Sequence, residues 1–290
     1  MFKSNEILKD SIKYLKSHRK ETPALDSKIL LGFALGLKEK IYLHEEVNVS
    51  EEKLTNFRKL LEVRVKGKPI SRIIGKRFFW KNVFNINDWT LDPRPDSEIL
   101  IEEILRQNID KTHDHKILDL GCGSGCLGLS LLGEFPNSSL ICVDRCKKAI
   151  IQAKQNSENL FFVDRTKFLH ANWFDQNWTI NLLKMLKIRT KFDIIISNPP
   201  YVKANQIQKL QKEVRNYDPM IALNGGDDGC DSYRAIFKNI RNLLSDKGIT
   251  AIEISDYLIK PLKEIVLKEG LIIKKIVEDY SGKKRVMIIK

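Results

Sequence analysis

From Lys116 onward, short apolar runs alternate with longer amphipathic stretches, and that alternation leaves few folds open. KILDL at 116–120, LICVD at 140–144, FLH at 168–170, FDIIIS at 192–197 and ITAIEIS at 249–255 have the length and β-branched content of strands. Runs over 271–278 and 285–289 complete a set of about seven. Helical spacing fills the intervals, with helices predicted over 96–108, from about Cys126, and over about 147–158. Strand and helix in alternation give a mostly parallel, doubly wound α/β sheet. FDIIIS is apolar almost throughout, as a strand covered on both faces must be. With 290 residues, 42% of them hydrophobic, the chain has material for this core and for a second unit.

Residues 1–75 read instead as a small helical domain. Thr22-Pro23 has the form of an N-cap followed by proline at the first helical position, where no hydrogen bond is lost. Leu25, Ile29 and Phe33 then form one helical stripe. Ser50 caps a second helix whose inner face includes Leu54, Phe57, Leu61 and Val65, and Pro69 ends it. Residues 76–92, with Phe78, Phe79, Trp80 and Phe84, are expected as an extended linker or hairpin before a second domain over 93–290. The formal net charge is +13; residues 1–85 carry +9 of it and residues 86–290 the remaining +4. Such a field favours a polyanion or an acidic protein, but a lysine-rich solvated surface has the same count. No stretch of 18 consecutive apolar residues offers a membrane span. The N-terminus lacks the apolar core of a secretory signal, and five cysteines are an odd number, so a reducing cytosol is expected.

Two segments carry chemistry. Asp119-Leu120-Gly121-Cys122-Gly123-Ser124-Gly125 lies between a strand and a helix, where glycines let the backbone turn and approach a ligand closely. Asp144 ends the next strand, placed to accept both hydroxyls of an adenosine ribose. By itself this fits any nucleoside-binding domain of the class, a dinucleotide binder included. Asn198-Pro199-Pro200-Tyr201 directly follows FDIIIS. Neither proline has an N–H, so the strand ladder stops and carbonyls are left facing the crevice at the strand ends. A planar nitrogen is a poor nucleophile because its lone pair is delocalised. The Asn198 side-chain oxygen and the Pro199 carbonyl can accept both of its N–H groups and aim the lone pair at the methyl of S-adenosylmethionine. Tyr201 would wall the flat group.

NPPY with DLGCGSG resembles the class I, Rossmann-like methyltransferases that modify exocyclic or amide nitrogens. KPISRIIGKRFFW at 68–80, PRPDSE at 93–98, ANWFD at 171–175 and DPMIALNGGDDG at 218–229 narrow the likeness. Together they resemble the peptide chain release factor N5-glutamine methyltransferases, the PrmC/HemK family, over nearly the whole chain. The resemblance implies S-adenosyl-L-methionine as cofactor and the glutamine of the GGQ motif of peptide-chain release factors as substrate. It places Gly121, Cys122, Gly123, Ser124 and Gly125 along the methionine and ribose, and Asp144 on the ribose hydroxyls. Asn172 and Trp173 fall at the adenine. Asn198, Pro199, Pro200 and Tyr201 hold the glutamine, with Arg94 and Glu98 at the entrance. Asn172 stands where the family often has Asp, Ser255 where it usually has Gly, and Ser97 where it usually has Thr. NPPY serves an adenine amine equally well, so a DNA or RNA adenine-N6 methyltransferase is the rival reading. No metal is expected: Cys122-x3-Cys126 and Cys142-x3-Cys146 fall in a loop, a helix start and a strand rather than in zinc-binding turns. Cys230, Asp227 and Asp228 read as a glycine-rich turn, and nucleic acid is not expected as the substrate.

Overall fold

The computed structural model describes residues 2–37, 40–107, 109–186 and 191–290. The chain divides into two compact units, Met1–Lys76 with Gln211–Tyr217, and Arg77–Leu210 with Asp218–Lys290.

The first unit contains β1 (Phe2–Lys3), α1 (Ser4–Ser17), α2 (Pro23–Leu35), β2 (Asn48–Val49), α3 (Glu51–Val65) and α4 (Ile70–Ile74). Ser50 caps α3 by accepting a hydrogen bond from the Lys53 N–H at 3.3 Å. Leu54, Phe57 and Leu61 are buried along α3, joined by Leu8, Leu15, Leu30 and Leu31 in one core; Val65 packs against its edge. Two expectations fail on α2. Thr22 makes no side-chain cap and instead donates to Asp26 Oδ1 at 2.8 Å. Leu25 and Phe33 are exposed, and the buried positions are Leu30, Leu31 and Ala34. Apolar residues surround this helix on most sides, so periodicity alone does not choose the inner face.

Arg64, on the inner side of α3, is buried between two carboxylates. It donates to Asp26 at 2.7 Å and to Glu213 at 2.6 Å, and the Asp26 side chain is only 3% exposed. Glu213 belongs to Gln211–Tyr217, a segment distant in sequence that no local signal assigns to this unit. Removing one partner of a buried pair strands the other charge. Arg64→Ala is therefore expected to cost about 3–5 kcal/mol of stability, read as a lower urea midpoint for the full chain.

The second unit opens with a two-stranded sheet of β3 (Lys76–Phe79) and β4 (Asn82–Asn85), followed by α5 (Glu98–Leu105). Phe79 and Phe84 pack edge to face in its core. The helix predicted over 96–108 is a 3-10 turn, Pro95–Ser97, leading into α5; Asn108 lies outside the described residues. Then come β5 (Lys116–Leu120), α6 (Cys126–Glu134), β6 (Ser139–Asp144), α7 (Lys147–Asn159), β7 (Thr166–His170), α8 (Trp178–Leu186) and β8 (Phe192–Ser197). After α9 (Lys212–Tyr217, in the first unit) follow α10 (Met220–Leu223), α11 (Asp231–Leu243), β9 (Leu244–Glu253), α12 (Ile259–Lys268), β10 (Ile273–Glu278) and β11 (Lys284–Ile289).

Seven strands form one sheet in the order β10-β11-β9-β8-β5-β6-β7. The five from β9 to β7 are parallel, and β11 and β10 close the edge antiparallel. Alternate side chains feed two cores: Leu118, Leu120 and Ile195 meet α11 and α12, while Ile117, Ile194 and Ile196 meet α5 and α6. The chain runs outward from β5 through β6 to β7, then returns to place β8 on the other flank of β5. That reversal opens a crevice at the carboxyl ends of β5 and β8. No described helix is long and apolar enough to cross a membrane.

Candidate active site

Register brings the two motifs together. Leu120 stands opposite both Ser197 and Val143, and Ser197 also pairs with Ile252. The residues one position beyond these pairs, Gly121, Asp144, Asn198 and Glu253, therefore gather at one edge of the sheet although distant in sequence. The Ser197 hydroxyl donates to the Leu120 carbonyl at 2.7 Å and ties the two strand ends.

The glycine loop leaves β5 by donating Gly121 N–H and Cys122 N–H to the Val143 carbonyl. Gly121 has φ +74°, and a Cβ there would meet the Trp173 ring at 3.0 Å, so both conformation and contact call for glycine. Asp144 is fixed from two sides, by Gly123 N–H on Oδ2 at 2.9 Å and Cys146 N–H on Oδ1 at 2.8 Å. Burial raises its pKa, and those two N–H groups oppose the rise. Asp119, fully buried beneath the loop, accepts from Gly128 N–H at 2.9 Å, while its Oδ1 has no partner among the described residues. Burial pushes Asp119 up to about 7.

At the end of β8, Asn198 Nδ2 donates to Ser97 Oγ at 3.1 Å. Ser97 in turn donates to Glu253 Oε2, and the Tyr201 hydroxyl donates to Glu253 Oε1 at 3.1 Å. Burial raises the pKa of Glu253, opposed by the Ser97 hydrogen bond, the Arg285 charge and the Tyr201 hydrogen bond. The corner is backed by the segment 223–226: Val202 N–H donates to the Leu223 carbonyl and Gly225 N–H to the Val202 carbonyl, both at 2.9 Å. A Cβ on Gly225 would lie 2.7 Å from Tyr201 Cα, so only glycine permits this approach. Arg94 and Asp92 N–H both bond Asp218, and Arg145 donates to the Ile221 carbonyl at 3.3 Å. These bonds hold the segment after Asp218 across the crevice mouth.

Of the residues expected from sequence, Gly121, Cys122, Gly123, Ser124, Asp144, Trp173, Asn198, Pro200 and Arg94 line one cavity. Gly125, Asn172, Pro199, Tyr201 and Glu98 do not line it. Gly125 precedes α6 with φ +80°. Asn172 is engaged with its own turn, donating to Asp175 and accepting from Phe174 N–H. Tyr201 is turned to Glu253 rather than walling the cavity. Glu98 accepts from Trp80 N–H at 2.8 Å and so ties α5 to the β3–β4 turn instead of guarding the entrance. Arg94 is at the entrance, but as half of an ion pair. The sequence assigned no site role to Ser97, Arg145, Asp218 or Glu253, although Ser97 lies in PRPDSE, Asp218 in DPMIALNGGDDG, and Glu253 is the one charged residue in the ITAIEIS run, two positions before Ser255. The five cysteines are free, and no described group of three or more His, Cys, Asp or Glu could hold a metal ion.

Comparison with known proteins gives a consistent set. A family described as the PrmC N-terminal domain matches residues 6–75, and the methyltransferase small domain matches residues 97–216. The chain is 36% identical over 253 residues to the release factor glutamine methyltransferase of Thermodesulfovibrio yellowstonii, covering 87% of each chain. It is 32% identical over 263 residues to that of Bradyrhizobium diazoefficiens, covering 89% of this chain and 84% of the relative. It also matches the bifunctional methyltransferase of Rickettsia prowazekii at 33%, but spans only 53% of that protein. A solved methyltransferase from Pyrococcus furiosus shares the fold, with a TM-score of 0.50 at 17% identity over 71% of this chain and 87% of that one.

Proposed function

Because the chain belongs to the family of release factor glutamine methyltransferases, we propose that it methylates the side-chain nitrogen N5 of the GGQ glutamine in peptide-chain release factors. S-adenosylmethionine supplies a methyl group made electrophilic by its sulfonium. The crevice suits that cofactor: a Cβ on Gly123 would meet nothing within 4 Å, so the loop backbone faces open space beside the half-buried Asp144 carboxylate and the buried Trp173 ring. Asp144 has lone pairs left for the ribose hydroxyls, and Trp173 offers a face to the adenine. The observation that carries the reading is Asn198. Its Nδ2 is committed to Ser97, while Oδ1 has no partner among the described residues and belongs to a side chain lining the cavity. That oxygen accepts one N–H of the substrate carboxamide. The carbonyl of the next residue in the chain, Pro199, accepts the other, although Pro199 is not among the cavity-lining residues. Together they localise the lone pair and gain strength as positive charge develops on nitrogen. Alignment and exclusion of water supply the rest of the acceleration. No strong base is needed beforehand, because the methylated amide cation is itself a strong acid.

The test is incubation of the full chain with labelled S-adenosylmethionine and either an unmodified release factor or adenine-rich DNA. Label on the GGQ glutamine by tandem mass spectrometry supports the reading, and label on adenine would replace it with the nucleic-acid one. The basic N-terminal third is the docking surface for an acidic partner in the cytoplasm. The KM for the release factor then rises several-fold between low and physiological salt, and a salt-independent KM rejects the docking role.

A further inference from the structure

We propose that Ser97 and Glu253 are positioning residues that lock the Asn198 carboxamide with its oxygen toward the cleft. This rests on the reading of the cleft as a carboxamide site. An asparagine amide presents similar shapes either way round, and only its hydrogen-bond partners fix which end faces a guest. Ser97 has one hydroxyl hydrogen and two lone pairs. The hydrogen is committed to the Glu253 carboxylate, the stronger acceptor, so Ser97 can offer Asn198 only a lone pair. A lone pair attracts Nδ2 and repels Oδ1, which gives the observed 3.1 Å contact and turns the oxygen away.

The carboxylate itself is held firmly. Tyr201 donates to its other oxygen, and Tyr233 donates to the Glu253 backbone carbonyl at 2.7 Å. Glu253 is only 2% exposed, and no ion pair reaches it among the described residues; the nearby Arg285 pairs with Asp279 at 2.9 Å. A buried carboxylate with neutral partners is an expensive choice for a strand end that an apolar residue could fill. A lock explains the choice, because a neutral acceptor does not fix the Ser97 rotor. With Gln at 253, the new amide can donate to Ser97, which frees the hydroxyl hydrogen for Asn198 Oδ1 and lets the carboxamide flip. Its hydrogens then face those of the substrate.

The test uses the full chain with S-adenosylmethionine and a release factor. Glu253→Gln and Ser97→Ala should each lower kcat on the order of 10²-fold, with the KM for S-adenosylmethionine within about twofold. Ser97→Thr, which keeps the hydroxyl, should restore wild-type turnover. A second readout needs no substrate: the side-chain NH2 resonance of Asn198, assigned by its loss in Asn198→Asp, should move in Glu253→Gln and Ser97→Ala but not in Ser97→Thr. An unmoved resonance in Glu253→Gln, or wild-type kcat in that variant, overturns the lock. If the resonance moves as expected while the wild-type chain fails to methylate glutamine, the lock stands and the proposed function falls.

Discussion

Asn198→Ala is expected to lower kcat by on the order of 10³-fold while the affinity for S-adenosylmethionine changes by no more than about threefold. The substitution removes one of the two acceptors that meet the carboxamide N–H groups. It leaves the glycine loop, Asp144 and Trp173 untouched. An acceptor that gains strength only as charge builds on nitrogen shows its loss in kcat rather than in substrate binding. Single-turnover rates, with cofactor affinity from calorimetry, separate the two effects. An Asn198→Ala enzyme with unchanged turnover would remove Asn198 from the chemistry.

Asp144→Asn should act on the other side of the reaction. The carboxylate holds Gly123 N–H and Cys146 N–H, and keeps lone pairs for two ribose hydroxyls. An amide has one acceptor oxygen and cannot serve all four donors. With roughly 1.5–3 kcal/mol for each hydrogen bond to a charged group, cofactor affinity should fall about 10²-fold or more, and kcat at saturating cofactor should change far less. Burial raises the Asp144 pKa, so protonation begins at a higher pH than for an exposed aspartate. Cofactor affinity in the wild-type chain should therefore weaken as pH falls, before the acidic range where an exposed aspartate titrates. Titration calorimetry across pH would show that decline in the wild type and its absence in Asp144→Asn.

Both of these residues are visible in the sequence because Asp144 ends, and Asn198 directly follows, a strand whose apolar run marks it. Once KILDL, LICVD and FDIIIS are strands, their following residues must gather at one edge of the sheet, and the switch point follows from topology. Side chains whose partners lie far along the chain are a different matter. Ser97 and Glu253 are brought together across 156 positions, and no spacing rule links a 3-10 turn to the end of β9. Likewise, the Glu213 bond to Arg64 depends on a segment that local patterns cannot assign to a helical unit 149 positions earlier. Glu98 and Tyr201 show a subtler limit. Their motif positions are right for the crevice, but a side chain can turn either way: Glu98 turns to the half-buried Trp80 and Tyr201 to the buried Glu253, neither of which lines the cavity. On α2, three large residues four apart suggested a face, while the smaller spacing of Leu30, Leu31 and Ala34 carries the burial.

The most direct measurement is a crystal structure of the full chain with S-adenosylhomocysteine and a glutamine-bearing GGQ peptide. The account predicts the glutamine nitrogen within about 3 Å of both Asn198 Oδ1 and the Pro199 carbonyl oxygen, facing the sulfur. A carboxamide whose oxygen, rather than its nitrogen, approaches that corner would contradict it, as would a peptide bound elsewhere with the corner closed.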